Sequence, residues 1–202
     1  MKKLWLALWV CAALLPRAAA LSAAAAVTMD ADTGETLFAE NADSRLPMAS
    51  TTKIMTALVA LGEGDLDRVY TVKKQYAAVE GSSMYLEEGE RLTLRDTLYG
   101  LLLSSGNDAA AAVAGECGGE RAFVDKMNAK ARELGLTDTR FENPSGLPSD
   151  GHYTTARELA KITAAALRDP VFRDIVSTKT CTAAGRTLVN HNRLLSLYED
   201  AI

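Results

Sequence analysis

The chain has 202 residues, 48% of them apolar and 24% charged, and a formal net charge of −4. That length allows one or two domains, and the apolar share is enough for a sizeable core. The acidic balance argues against nucleic acid and against an electrostatic hold on anionic lipid. Two histidines and three cysteines show no ligand spacing, so no metal and no cofactor are expected.

The chain opens with Met1-Lys2-Lys3, an apolar run Leu4–Leu15 and the small-residue triplet Ala18-Ala19-Ala20. This pattern reads as a signal peptide over residues 1–20, although cleavage could equally fall within Ala23–Ala26. The run is too short to span a bilayer comfortably. Val10 is the wrong residue to precede a lipidated Cys11. The mature protein is therefore expected outside the cytoplasmic membrane, in the cell wall or periplasm. Losing Lys2, Lys3 and Arg17 moves the formal charge from −4 to −7. Cys117 and Cys181 remain and are expected free rather than paired.

Ala24–Met29 and Glu35–Ala39 read as two strands joined by the turn Asp30-Ala31-Asp32-Thr33-Gly34. Pro47 and Ser50-Thr51-Thr52 mark a helix start, and the apolar residues up to Leu61 predict a helix buried nearly all round. Gly62-Glu63-Gly64 ends it. A short strand is expected over Arg68–Val72, then extended pieces joined by turns over Val79–Leu94. Thr93 and Asp96 form a capping box for a helix over Leu94–Leu103. Ser104-Ser105-Gly106-Asn107 breaks the pattern before an alanine-rich helix, Asp108–Gly115. An amphipathic helix over Glu120–Leu134 turns Phe123, Val124, Met127, Ala131 and Leu134 to one side. The loop Asn143–Pro148 follows, then a second full capping box, Thr155 with Glu158, opening a helix to Leu167. Asp169-Pro170 starts another, and Cys181–Thr182 with Thr187–Val189 suggest a hairpin. No internal repeat or linker is visible.

Ser50 and Lys53 stand one turn apart on the first helix and share a face. Burial disfavours the charged form of a lysine, and a neutral amine beside a hydroxyl is a general base beside a nucleophile. Taken alone, the four residues also fit an ordinary helix cap with a lysine that reaches solvent. Ser105 and Asn107 lie in the break between two apolar helices. There Ser105 could pass a proton to a leaving group, and Asn107 could hold a substrate backbone. A helix cap and an Asx-turn account for the same two residues.

Together these stretches resemble the serine D-alanyl-D-alanine carboxypeptidases, low-molecular-weight penicillin-binding proteins. The resemblance runs through Met29–Gly34, Ala49–Leu58, Gly81–Met84, Leu102–Ala109, Phe141–Leu147 and His152–Ala160, in family order over residues 24–202. It implies an α/β fold of the β-lactamase/transpeptidase type, an antiparallel sheet packed with helices plus an all-helical subdomain. It also implies Ser50 as the acyl-ester nucleophile, Lys53 as its base, Ser105 as proton relay and Asn107 as a substrate holder. The substrate would be a peptidoglycan stem peptide ending in D-Ala-D-Ala, and β-lactams would inhibit.

One family motif is out of place. A Lys-Thr-Gly strand should follow the segment Asn190-His191-Asn192-Arg193-Leu194-Leu195, but Ile202 comes seven residues after Leu195. Lys179-Thr180-Cys181 precedes that segment, and Cys181 stands where glycine would let substrate lie close to the backbone. The chain is therefore expected to be a truncated member lacking the final sheet strands, with its activity in doubt. The amphipathic C-terminal helix by which the family often attaches to membranes is therefore not expected in this chain. A β-lactamase of the same fold is the first rival, but no Glu-x-x-Leu-Asn motif is present. A non-catalytic fragment is the second. His152 and His191 are expected to be structural.

Overall fold

The structure, a computed structural model, describes residues 22–199 and 201–202. The expected signal peptide over residues 1–20 lies outside the described residues. Strands β1 (Ala26–Met29) and β2 (Thr36–Glu40) pair antiparallel, from Ala26↔Glu40 to Met29↔Thr36. Asp30 holds the turn between them: its carboxylate accepts from the Thr33 N–H at 2.7 Å and the Asp32 N–H at 3.1 Å. A 3₁₀ turn over Ala49–Thr51 leads into helix α1, Thr52–Leu61. Strands β3 (Val69–Thr71) and β4 (Arg91–Thr93) form the second antiparallel pair.

Between β3 and β4 lies one turn of helix that the residue pattern did not announce, α2 (Lys74–Ala77). Burial of Tyr76 accounts for it. The ring lies over Gly115, where a Cβ would stand 2.3 Å from the ring, and the hydroxyl donates to Glu116 at 3.0 Å. Helix α3 spans Leu94–Leu103 and carries the complete capping box expected of Thr93 and Asp96. Helix α4 (Asn107–Glu116) and helix α5 (Glu120–Glu133) follow, and α5 buries Phe123, Met127 and Ala131.

Helix α6 (Ala156–Ala166) makes only half of its expected capping box. Thr155 accepts from the Glu158 N–H at 3.1 Å, but the Glu158 carboxylate turns away. It accepts from the Thr137 N–H at 2.8 Å, the Asp138 N–H at 3.1 Å and the Thr139 hydroxyl at 2.6 Å. A buried carboxylate gains more from three fixed donors than from one helix-end amide. Asp169 caps helix α7 (Pro170–Ser177). Strands β5 (Thr180–Ala183) and β6 (Arg186–Val189) form the third pair, and a short helix α8 covers Leu194–Leu197.

Helix α1 is the axis of the molecule and packs against α3, α4, α5, α6 and α7. Its buried Met55, Ala57, Val59 and Ala60 join Leu98, Leu101, Val113, Phe123, Met127 and Ile162 in one apolar core. The mixed α/β architecture is as expected. Among the described residues its antiparallel strands are divided among three two-stranded sheets: β1 lies on α6, and β5 and β6 lie on α3. Cys117 and Cys181 are both free. His191, expected to be structural, is exposed instead.

Candidate active site

The start of α1 does not follow the helix-cap alternative. None of Ser50, Thr51 and Thr52 caps the helix with its side chain. Thr51 donates its hydroxyl back to the Met48 carbonyl, and Thr52 Oγ1 lies 2.7 Å from His152 Nε2. Ala49, just before Ser50, has a left-handed φ of +46°, unusual for a residue with a Cβ. The loop after Asn143 packs against it: Gly146 has φ +87°, and a Cβ there would sit 1.8 Å from the Ala49 carbonyl oxygen. This tight contact turns the backbone so that Ser50 is exposed one turn above the buried Lys53. The Ser50 N–H, inside the 3₁₀ turn, has no acceptor among the described residues.

Lys53 is 2% exposed. Its Nζ donates to Ser50 Oγ at 3.1 Å, Asn107 Oδ1 at 2.8 Å and the Ser145 carbonyl at 2.7 Å. Burial lowers the Lys53 pKa to about 8, against the opposing pull of the Asp108 carboxylate. Three acceptors satisfy the three N–H groups of an ammonium. With that pKa the amine is neutral in roughly a tenth of molecules at pH 7, and in most of them by pH 9. Burial therefore brings the base form within reach without making it the resting form.

Asn107 touches Lys53 and is largely occupied. Besides accepting from Nζ, its side-chain amide donates to the Glu80 carbonyl at 2.6 Å, and its backbone N–H donates to the Ser82 carbonyl at 2.7 Å. That leaves one amide hydrogen and one lone pair for a substrate, so its first task is to hold Lys53. Ser105 has φ +55° and lines the same cavity as Ser50 and Lys53. It makes no side-chain hydrogen bond among the described residues, so its hydroxyl is free for a substrate. Asp108, 1% exposed, accepts from the Ser83 hydroxyl at 2.6 Å and from the Met84 and Leu86 N–H groups at 3.0 and 2.9 Å. It fixes the turn beside Asn107.

Ser145 was not among the expected site residues, because it acts through its backbone and a carbonyl leaves no trace in residue type. The one sequence signal was the rigid Asn-Pro-Ser-Gly loop around it. The Asn143 side-chain oxygen accepts from the N–H groups of Ser145, Gly146 and Leu147, and Pro144 presents its carbonyl to the Thr56 hydroxyl at 2.6 Å. Asn190 and Asn192, to which the residue pattern assigned no role, both line the Ser50 cavity, which has a volume of about 420 Å³. Lys179 is exposed just before β5 and does not line it.

A profile of the D-alanyl-D-alanine carboxypeptidase family, Peptidase_S11, matches residues 12–201. The chain belongs to this family. It is 40% identical over 188 residues to the D-alanyl-D-alanine carboxypeptidase DacF of Bacillus subtilis, covering 87% of this chain and 48% of that protein. It is 38% identical over 205 residues to a D-alanyl-D-alanine carboxypeptidase of Streptomyces sp. strain K15, covering 90% and 70%. The chain thus spans about half the length of the first relative and over two thirds of the second. The crystal structure of the Streptomyces K15 DD-transpeptidase matches with a TM-score of 0.81 and 38% identity, over 87% of this chain and 76% of that one. A penicillin-binding protein homologue from Mycobacterium tuberculosis matches with a TM-score of 0.84 and 36% identity, over 88% and 70%. These likenesses carry the penicillin-binding fold over to this carboxypeptidase family member.

Proposed function

We propose that the protein is an exported serine carboxypeptidase that removes the terminal D-Ala from peptidoglycan stem peptides through an acyl-enzyme on Ser50. The observation that carries this reading is the buried Lys53 amine 3.1 Å from the Ser50 hydroxyl. In the neutral minority form, Lys53 Nζ takes the Ser50 proton as Oγ attacks the carbonyl of the penultimate D-Ala. The oxyanion that develops meets the unpaired Ser50 N–H at the start of α1, where the helix dipole also favours negative charge. The peptide bond to the terminal D-Ala then breaks, and its leaving nitrogen receives a proton through Ser105. Water hydrolyses the ester and restores Ser50. A β-lactam would acylate the same oxygen and stay attached.

Several geometrical features support the reading. Ser50 is exposed to substrate and its base is shielded from water. The β-lactamase alternative would need a carboxylate free to activate a deacylating water, and the Glu158 carboxylate is committed to residues 137–139. The test is labelling by a fluorescent penicillin together with D-Ala release from a pentapeptide. Slow, stoichiometric labelling that disappears in Ser50→Ala is expected. Labelling that survives in that variant would exclude Ser50, and rapid nitrocefin turnover would favour a β-lactamase.

A further inference from the structure

We infer that His152 is a positioning residue for the Ser50–Lys53 pair, acting as a clamp between helix α1 and the loop that presents the Ser145 carbonyl. This rests on the reading of Ser50 and Lys53 just proposed. His152 is 4% exposed, and its ring packs edge-on to Phe141 at 5.8 Å between centroids. Its Nδ1 lies 3.0 Å from the Glu142 backbone nitrogen, a donor that cannot reverse its role. Nδ1 must therefore be the unprotonated nitrogen, and Nε2 carries the hydrogen and donates it to Thr52 Oγ1 at 2.7 Å. Burial lowers the His152 pKa, which keeps the ring neutral and the Nδ1 lone pair available.

The two ends of the clamp determine its effect. Thr52 is the first residue of α1, between Ser50 in the 3₁₀ turn and Lys53, and Glu142 lies three residues before Ser145. Loop and helix are otherwise tied by Thr56 to the Pro144 carbonyl and by Lys53 itself. Without the histidine, the loop that carries the Lys53 acceptor and presses Gly146 onto Ala49 loses its anchor at Glu142. Small displacements of a reacting pair cost far more in rate than in stability, so the consequence falls on acylation.

Nitrogen-15 NMR of the full chain at neutral pH tests the tautomer directly, and an Nδ1–H or doubly protonated ring would overturn the inference. Acylation by a fluorescent penicillin is then compared across variants of unchanged thermal midpoint. His152→Ala is expected to lower the acylation rate constant at least tenfold. Asn, which retains an acceptor near the Nδ1 position, and Gln, which reaches toward Thr52, each recover part of that loss. Thr52→Val lowers the rate several-fold and adds nothing to His152→Ala, because both break one link. A folded His152→Ala within twofold of the parent overturns the clamp; where that variant does not fold, Thr52→Val decides by the same threshold. If the parent itself is not acylated, the Ser50 reading fails but the clamp is still tested. Amide exchange at Ser145 and Gly146 is then expected to quicken at least fivefold in Thr52→Val, and unchanged exchange overturns it.

Discussion

Two helix starts in this molecule are built in opposite ways. At α3, Thr93 accepts from the Asp96 N–H at 3.0 Å and Asp96 accepts from the Thr93 N–H at 3.1 Å, so two orphan donors are satisfied within four residues. At α1, three consecutive hydroxyl residues stand ready to cap and none does. Ser50 faces Lys53, Thr51 returns to Met48, and Thr52 meets His152. A left-handed Ala49, held by the Gly146 contact, replaces the cap. The first start is optimised for stability by local means. The second leaves the Ser50 N–H without an acceptor, turns its hydroxyl to Lys53 and depends on distant residues for its shape, which suits the nucleophile role proposed for Ser50.

If this contrast is right, the two starts respond to substitution in different measurements. Ser50→Ala should abolish penicillin labelling completely while shifting the thermal midpoint little, since no cap is lost. Lys53→Met should slow acylation by about 10²–10⁴-fold, the usual worth of a general base; a loss under fivefold would show that another group takes the proton. Gly146→Ala should destabilise the fold by more than about 2 kcal/mol, through the positive φ and the clash with the Ala49 carbonyl. A denaturant midpoint equal to that of the parent would mean that the loop does not set the Ala49 backbone.

Smaller effects sharpen the contrast further. Lys53 must be neutral to act, so acylation should rise with pH through a single ionisation near 8. The gain between pH 7 and pH 9 is roughly tenfold, from the change in neutral fraction. A flat profile over that range would remove Lys53 from the proton path. The smallest effect is expected at the other helix. Thr93→Ala should cost about 1 kcal/mol in denaturant unfolding and leave acylation unchanged.

What the residue order determined by itself is local. The spacing of Ser50 and Lys53 places them on one helix face, Thr93 and Asp96 close a capping box three residues apart, and Asp30 and Gly34 close a hairpin. Each depends on geometry within a few residues, which helix and turn dimensions dictate. The acceptors of Lys53 at Asn107 and Ser145, 54 and 92 positions away, were beyond such reasoning. So were the turn of Glu158 toward residues 137–139 and the meeting of Thr52 with His152 across 100 positions. Tertiary structure alone decided these, because a buried polar group bonds whatever donor or acceptor the packing brings to it. The same packing removed water from Lys53 and brought an ordinary lysine to a pKa of about 8.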